Sequence, residues 1–205
     1  MLLISSGALP STYAELVAML KDIPAFVQSF FAMMIFWLSH RAWSRNYGLE
    51  EKVTIPLTLH LMVSLLVYIY PLKLMYSTLL SFVTGGYFAS GNHIGSRQVG
   101  VNWIGIYGVG FAVLSATMLG LCWRTFSQRY TFGYDHTDVL ESKVGITIWV
   151  TLNATGLLSA GVALPMPLEH GVWAGLFYWV LGPVMPVLTS RTRKSLKLSN
   201  EKTPK

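Results

Sequence analysis

Long stretches without charge dominate this chain of 205 residues. Five stretches contain no Asp, Glu, Lys or Arg, and each approaches or exceeds the roughly 18 to 20 residues that cross the hydrocarbon of a bilayer as a helix. The stretches run from Ile23 to Ser39, Val53 to Leu72, Gln98 to Trp123, Val144 to Leu168 and His170 to Ser190. This pattern predicts an all-α, polytopic membrane helix bundle with five transmembrane helices.

The composition argues against a soluble protein. Hydrophobic residues make up 53% of the chain and charged residues 12%, whereas a soluble domain has roughly 25% charged residues. The connections between the stretches are short, and no repeat or low-complexity linker divides them. We therefore predict one integral-membrane domain over residues 1–190, followed by a basic, disordered tail over residues 191–205.

The net charge of +6 is unevenly placed along the chain. Twelve of the fifteen basic residues lie in three regions: between the first and second stretches, between the third and fourth, and in the tail. The positive-inside rule puts these regions in the cytoplasm and the segment before Ile23 outside. The charge therefore indicates topology rather than a nucleic-acid partner. The basic residues are Arg41, Arg45, Lys52, Arg124, Arg129, Lys143, Arg191, Arg193, Lys194, Lys197, Lys202 and Lys205.

An N-terminus outside the membrane is unusual without a signal peptide. The apolar run from Met1 to Ile4 is too short for a signal peptide and has no basic residue before it. We interpret this run as the end of a further membrane helix, which would make the count six.

Ionisable side chains at membrane depth are candidates for function. His60 lies in the middle of the second stretch, one turn before Ser64, and is either a polar site inside the membrane or a packed histidine. Lys73 follows Pro71, and we predict that its side chain extends to the outer interface. Pro24 is predicted to lie near the start of the first helix, where proline is tolerated.

Trp37 and His40 are three residues apart near the predicted cytoplasmic end of the first helix, so they share one helix face. The His40 ring could bind a polar partner on another helix, or it could be solvated in the interface.

Small and polar residues in the third and fourth stretches predict contacts between helices. In the fourth stretch these are Asn153, Thr155 and Ser159. In the third stretch they are Gly100, Asn102, Gly105, Gly108 and Gly110.

No residue pattern predicts an enzyme, a cofactor or a metal site. The five histidines lie in five different segments, with no HExxH or GxSxG motif. Asp135, His136 and Asp138 form a trio that is better read as a solvated loop. Cys122 is the only cysteine and is predicted to be a packing residue. The run from Thr84 to Tyr87 contains two glycines and is predicted to be an external loop, since it lacks the spacing of a potassium filter.

Several short motifs resemble the transmembrane protein 175 family of potassium channels. The run Ala25-Phe26-Val27-Gln28-Ser29-Phe30, followed by Phe36-Trp37-Leu38-Ser39-His40-Arg41, is similar to the second helix of that family. The ending Tyr70-Pro71-Leu72-Lys73 is similar to the family's Leu-Pro-Phe ending, and Ile106-Tyr107-Gly108 with Trp123 is similar to its fourth helix. The resemblance extends in order over roughly residues 13 to 190.

The resemblance implies a potassium channel that works as a homotetramer in the membrane. It also implies that the five helices of this chain form the outer scaffold of the channel. Family members open with a helix that carries Arg-x-x-x-Phe-Ser-Asp and lines the potassium pathway. This chain contains no such signature. The resemblance thus implies that Trp37 and His40 pack against that first helix. It also implies that the five helices are a six-helix unit without its first helix. We therefore expect no potassium-selective flux from the 205 residues alone. The selectivity filter stays unassigned.

Two other functions remain open from the sequence. One is a small-solute or proton-coupled transporter that uses His60, Asn102 and Asn153, and it predicts that replacing His60 abolishes uptake of a solute. The other is a membrane scaffold that conducts no ions.

Overall fold

Long helices make up most of the described structure. The computed structural model describes residues 12–48, 51–88, 97–131, 133–134, 136–163 and 184–195. In this part of the chain the elements are helical, with no strand. The helices are α1 (Tyr13–Tyr47), α2 (Thr54–Val83), α3 (Arg97–Ser127), α4 (His136–Ala163) and a shorter helix, α5, over residues 184–195.

Helices α1 to α4 are each long and apolar enough to cross a membrane. Even α4, with 28 residues, reaches about 42 Å at 1.5 Å per residue, against about 30 Å of hydrocarbon. The all-α membrane bundle is therefore confirmed, together with four of the five predicted spans. The stretch from His170 to Ser190 lies mostly outside the described residues.

Helix α1 begins earlier than the charge-free stretch indicated. Thr12 caps it by accepting a hydrogen bond from the backbone N–H of Glu15 at 3.3 Å, and the helix continues to Gly48, whose φ of 52° ends it. Pro24 therefore lies inside the helix, and the prediction that it lies near the start is wrong. Because α1 starts directly after Thr12, Lys21 and Asp22 lie inside the helix and do not mark its boundary.

Helix α2 also extends beyond its predicted end. It continues through Pro71 to Val83 and stops at a turn in which Gly85 and Gly86 have positive φ angles of 60° and 85°. The glycine-rich turn is confirmed. The prediction that Lys73 extends to the interface is wrong, because this residue lies within α2 and is buried.

The prediction of a disordered tail is wrong for its first residues. Helix α5 continues through residues 191–195, and Arg193 of α5 forms an ion pair with Glu141 of α4 at 2.9 Å. The rest of the tail lies outside the described residues, so the proposed boundary at residue 190 stays a prediction.

Close packing of α3 on α4 is built from small residues. A Cβ atom at Gly108 would lie 2.8 Å from the Gly156 carbonyl oxygen, and one at Gly110 would meet the ring of Tyr68 from α2. Asn153 of α4 donates a hydrogen bond to the Ala112 carbonyl of α3 at 2.7 Å. These contacts confirm the predicted roles of Gly108, Gly110 and Asn153 between helices.

A large aromatic and aliphatic cluster forms the centre of the described part of the bundle. Cys122 belongs to it and is buried, which confirms its predicted packing role. Many large apolar side chains point away from this cluster, as expected where lipid or another subunit replaces water. The buried members are Phe36, Trp43, Leu61, Leu65, Tyr68, Leu72, Tyr107, Leu114, Met118, Leu121, Cys122 and Trp149.

Candidate functional site

The C-terminal half of α1 carries a row of aromatic rings along one face. Trp37, His40, Trp43 and Tyr47 are three or four residues apart, which places them on successive turns of the same face. Their ring centroids lie 6.1, 5.9 and 6.4 Å apart in that order. The predicted shared face of Trp37 and His40 is confirmed, and we call these four residues the aromatic row.

His40 connects the aromatic row to α2. Its side chain is buried, and Nε2 lies 3.2 Å from the Thr58 hydroxyl oxygen. The ring nitrogen can donate or accept in this contact, depending on the tautomer. The sequence left two interpretations of His40 open. The structure agrees with the one in which the ring contacts a polar partner on another helix.

Trp43 connects the same row to α3, a role that sequence reasoning missed. Its indole N–H donates a hydrogen bond to the Thr125 hydroxyl at 2.9 Å, and the Thr125 hydroxyl donates to the Leu121 carbonyl at 3.2 Å. Both residues are buried. The three-residue spacing of Trp43 from His40 could have indicated a shared helix face. The partner of Trp43, however, is Thr125, which is 82 positions away in the chain.

Tyr47 ends the aromatic row in a polar network. Its hydroxyl donates to the Asp138 carbonyl of α4 at 3.1 Å and accepts from the Ser142 hydroxyl at 3.1 Å. The Tyr134 hydroxyl donates to the Tyr47 carbonyl at 3.4 Å. Burial raises the pKa of Tyr134, and the nearby Asp138 carboxylate raises it further. The network joins the end of α1 to the start of α4.

An ion pair brings the start of α2 to the same end of the bundle. Arg124 Nε donates to Glu51 Oε2 at 2.8 Å. Since the ends of α1 and α3 meet the starts of α2 and α4 here, neighbouring helices are antiparallel. Three of the sequence regions rich in basic residues converge at this end, which we call the basic end. They contribute Arg41, Arg45, Lys52, Arg124, Arg129, Lys143, Arg191, Arg193 and Lys194.

Trp37 differs from the rest of the aromatic row because it is open on one side. It is 42% exposed, while His40 beneath it is 7% exposed. The exposed indole therefore covers a histidine that is fixed by its bond to Thr58. The open face of the Trp37 indole is therefore available for contact with lipid or protein.

A second polar site lies at the opposite end of α1 and α2. Lys73 Nζ lies 3.3 Å from Asp22 Oδ2, and these side chains are only 10% and 13% exposed. Next to this pair, Lys21 Nζ lies 4.5 Å from the centre of the Tyr87 ring. Sequence reasoning missed the pair, although Asp22 and Lys73 bordered two predicted spans.

Of the three residues in the transporter hypothesis, His60 and Asn153 have described side chains, and their hydrogen bonds go to different partners. His60 is exposed on α2 and contacts Ser64 of the same helix at 3.4 Å. Asn153 instead binds α3 through the Ala112 carbonyl. The side chain of Asn102 lies outside the described part.

The described residues contain no group of three or more His, Cys, Asp and Glu side chains that would hold a metal ion. The placement of Asp135, from the trio with His136 and Asp138, lies outside them.

Two comparisons place this arrangement beside known proteins, although no family profile matches the sequence. A protein from Marivirga tractuosa named "Potassium channel" is 27% identical over 206 residues, covering 94% of this chain and 81% of that protein. The fold is similar, with a TM-score of 0.77, to the crystal structure of a variant of the potassium channel MtTMEM175 in complex with a nanobody–MBP fusion protein. That match has 26% identity and covers 94% of this chain and 87% of the other. The expected family resemblance is confirmed by both.

Proposed function

We propose that this chain, a protein of the transmembrane protein 175 type, is a subunit of a potassium channel that mediates passive potassium transport across a membrane. The observation that carries the proposal is a fold match over 94% of the chain to a protein described as a potassium channel. A sequence match of the same extent to a second protein of that name supports it. The long apolar helices place the chain in the membrane, where such transport occurs.

The charge distribution supports an orientation for the subunit. The basic end collects positive residues from the ends of α1 and α3, the start of α4 and the helix α5. Short loops rich in Lys and Arg stay in the cytoplasm. We therefore place the basic end and the C-terminal tail in the cytoplasm, and the Asp22–Lys73 end outside, with the subunit in the cell membrane.

A homotetramer is the assembly that we propose for this subunit. Support comes from the family resemblance and from α1, where Phe30, Phe31, Ile35 and Leu38 are all exposed. In a bilayer these side chains contact either lipid or another subunit. Symmetric association of four copies would place one face of each subunit toward the potassium pathway.

Trp37 and His40 are proposed to support the pathway rather than to bind potassium. A pore-lining helix with the family signature would pack on the exposed indole of Trp37, while the bond to Thr58 holds His40 behind it. Potassium filters coordinate the ion with oxygen atoms, and neither of these side chains carries one, so neither is a potassium ligand in this proposal.

Ion flux from proteoliposomes tests the channel proposal. The protein is reconstituted in vesicles loaded with potassium, and flux is followed with a dye after addition of a proton ionophore. We expect potassium flux to exceed sodium flux by about ten-fold or more, since about 1.4 kcal/mol of preference gives that ratio.

A His60→Ala variant in the same vesicles separates the channel from the transporter. His60 is exposed on α2 and its hydrogen bond with Ser64 stays within that helix, so we expect its loss to leave potassium flux unchanged. A folded tetramer that gives no potassium flux would contradict the channel proposal. Solute uptake that depends on His60 would favour the transporter.

Replacement of Trp37 tests its supporting role. We expect Trp37→Leu to lower potassium flux by about ten-fold, because losing about 1.4 kcal/mol of contact with the pore-lining helix shifts the population of the conducting state by that factor. Flux per tetramer is the measurement. Trp123→Leu is the matched control, since Trp123 is also exposed but lies on α3. Equal flux from both variants would contradict the role of Trp37.

A further inference from the structure

A cavity of about 240 Å³ lies between the long helices, near the middle of each of them. None of the described residues that line it carries a charge. Its walls are aromatic and aliphatic, with contributions from all four membrane-spanning helices. The residues that define it are Ala32 and Phe36 of α1, Tyr68 and Tyr76 of α2, Phe111 of α3 and Trp149 of α4.

The cavity lies where α1 and α4 are far apart. No Cα atoms of these two helices come within 8 Å of each other in the described residues. Phe36 and Trp149 reach across the separation, with ring centroids 5.5 Å apart. The cavity is only partly enclosed. In a bilayer the open side of the cavity faces protein or hydrocarbon, because the helices that form it are long and apolar enough to span the membrane.

Water is a poor occupant of such a space. A buried water needs two to four polar partners, whereas the Tyr68 hydroxyl already donates to the Tyr107 carbonyl at 2.9 Å. Apolar cavities stay dry and bind apolar molecules, and an engineered cavity of about 150 Å³ is large enough for benzene. The present cavity exceeds that volume, and hydrocarbon surrounds the helices that form it.

We propose that this cavity binds one acyl chain of a bilayer lipid, inserted between α1 and α4 against Phe36, Phe111 and Trp149. The chain completes the contact between two helices whose backbones do not meet. Because α1 also carries Trp37, an occupied cavity holds α1, and with it the aromatic row, in place. The binding site itself does not depend on the proposed channel function.

Photolabelling with lipid tests this site in the full chain. The protein is reconstituted in phosphatidylcholine vesicles in which some acyl chains carry a diazirine at mid-length, irradiated, and mapped by mass spectrometry. Leu157 and Leu158 are exposed and report contact with bulk lipid, whereas Trp149 is only 7% exposed and reports entry into the cavity. We expect label on Trp149 as well as on the two leucines.

Ala32→Phe fills the cavity from the α1 side and is expected to lower labelling of Trp149 by about five-fold or more, since a filled cavity has no room for a ligand. Ala154→Phe is the matched control, because Ala154 is exposed on α4, and we expect it to leave the label on Trp149 unchanged. If Ala32→Phe does not fold, Ala32→Leu replaces it.

Three results would overturn the proposal. The first is label on Leu157 and Leu158 but none on Trp149 in the unmodified protein. The second is equal labelling of Trp149 in folded Ala32→Phe and Ala154→Phe. The third is a crosslink from a photoreactive group at position 32 to a second copy of the chain, which would show that protein fills the cavity.

Discussion

Asp22→Ala is expected to destabilise the folded chain by about 3 to 5 kcal/mol, because it removes the carboxylate that lies against the buried Lys73 ammonium. Both side chains are largely shielded from solvent, so water replaces the lost contact poorly. The pair also joins the first part of α1 to α2, near prolines 24 and 71, each of which removes a backbone hydrogen-bond donor from its helix. The measurement is the thermal unfolding midpoint in detergent, followed by intrinsic fluorescence.

The ion pair between Glu141 and Arg193 provides a matched control. Its N–O distance is 2.9 Å, but its side chains are 49% and 54% exposed, so Glu141→Ala is expected to cost at most about 1 kcal/mol. The double variant Asp22→Leu with Lys73→Met removes both buried charges and is expected to regain most of the stability that Asp22→Ala loses. An Asp22→Ala protein as stable as Glu141→Ala would show that the Asp22–Lys73 contact is not a buried pair.

The long apolar stretches made the fold predictable, because their length against the bilayer thickness leaves few alternatives. The use of charged residues as the limits of these stretches, however, placed the helix ends incorrectly. Lys21, Asp22 and Lys73 divide the charge-free stretches, yet the structure places all three within helices. A charged residue can lie inside a membrane helix when another helix supplies its partner, and sequence spacing does not show which residue that is.

The candidate site was predictable only along one helix. The spacing of Trp37 and His40 correctly predicted that they share a face, since helical periodicity is a local property. Their partners were not predictable in this way. Nothing in the sequence distinguishes Thr58 or Thr125 from other threonines. Only the packing of α2 and α3 on α1 brings their hydroxyls to His40 and Trp43.

The glycines of α3 were better predictors of a contact between helices, because closely packed helices have no room for larger side chains. Of the predicted contact residues, Gly108 does meet another helix at its backbone. Its partner Gly156 was not singled out by the sequence. Closely packed helices need small residues on both sides, so a glycine-rich stretch predicts that a small partner exists without identifying it.

Gly156→Ala is therefore expected to destabilise the chain by about 2 to 3 kcal/mol through overpacking. A Cβ at this position would lie 2.9 Å from the backbone nitrogen of Ala112 and 2.9 Å from the Gly108 carbonyl oxygen. Both neighbours are backbone atoms, so relief requires α3 and α4 to move apart. That movement also lengthens the 2.7 Å hydrogen bond from Asn153 to the Ala112 carbonyl.

Gly161→Ala is the control on the same helix. A Cβ at Gly161 meets no atom within 4 Å, so alanine there is expected to raise stability by up to about 1 kcal/mol through its better helix propensity. The thermal unfolding midpoints of both variants, measured in the same detergent, should therefore shift in opposite directions. Equal midpoints would contradict the close approach of α3 and α4. Opposite shifts would show that contact between backbones, rather than side-chain burial alone, holds these two helices together.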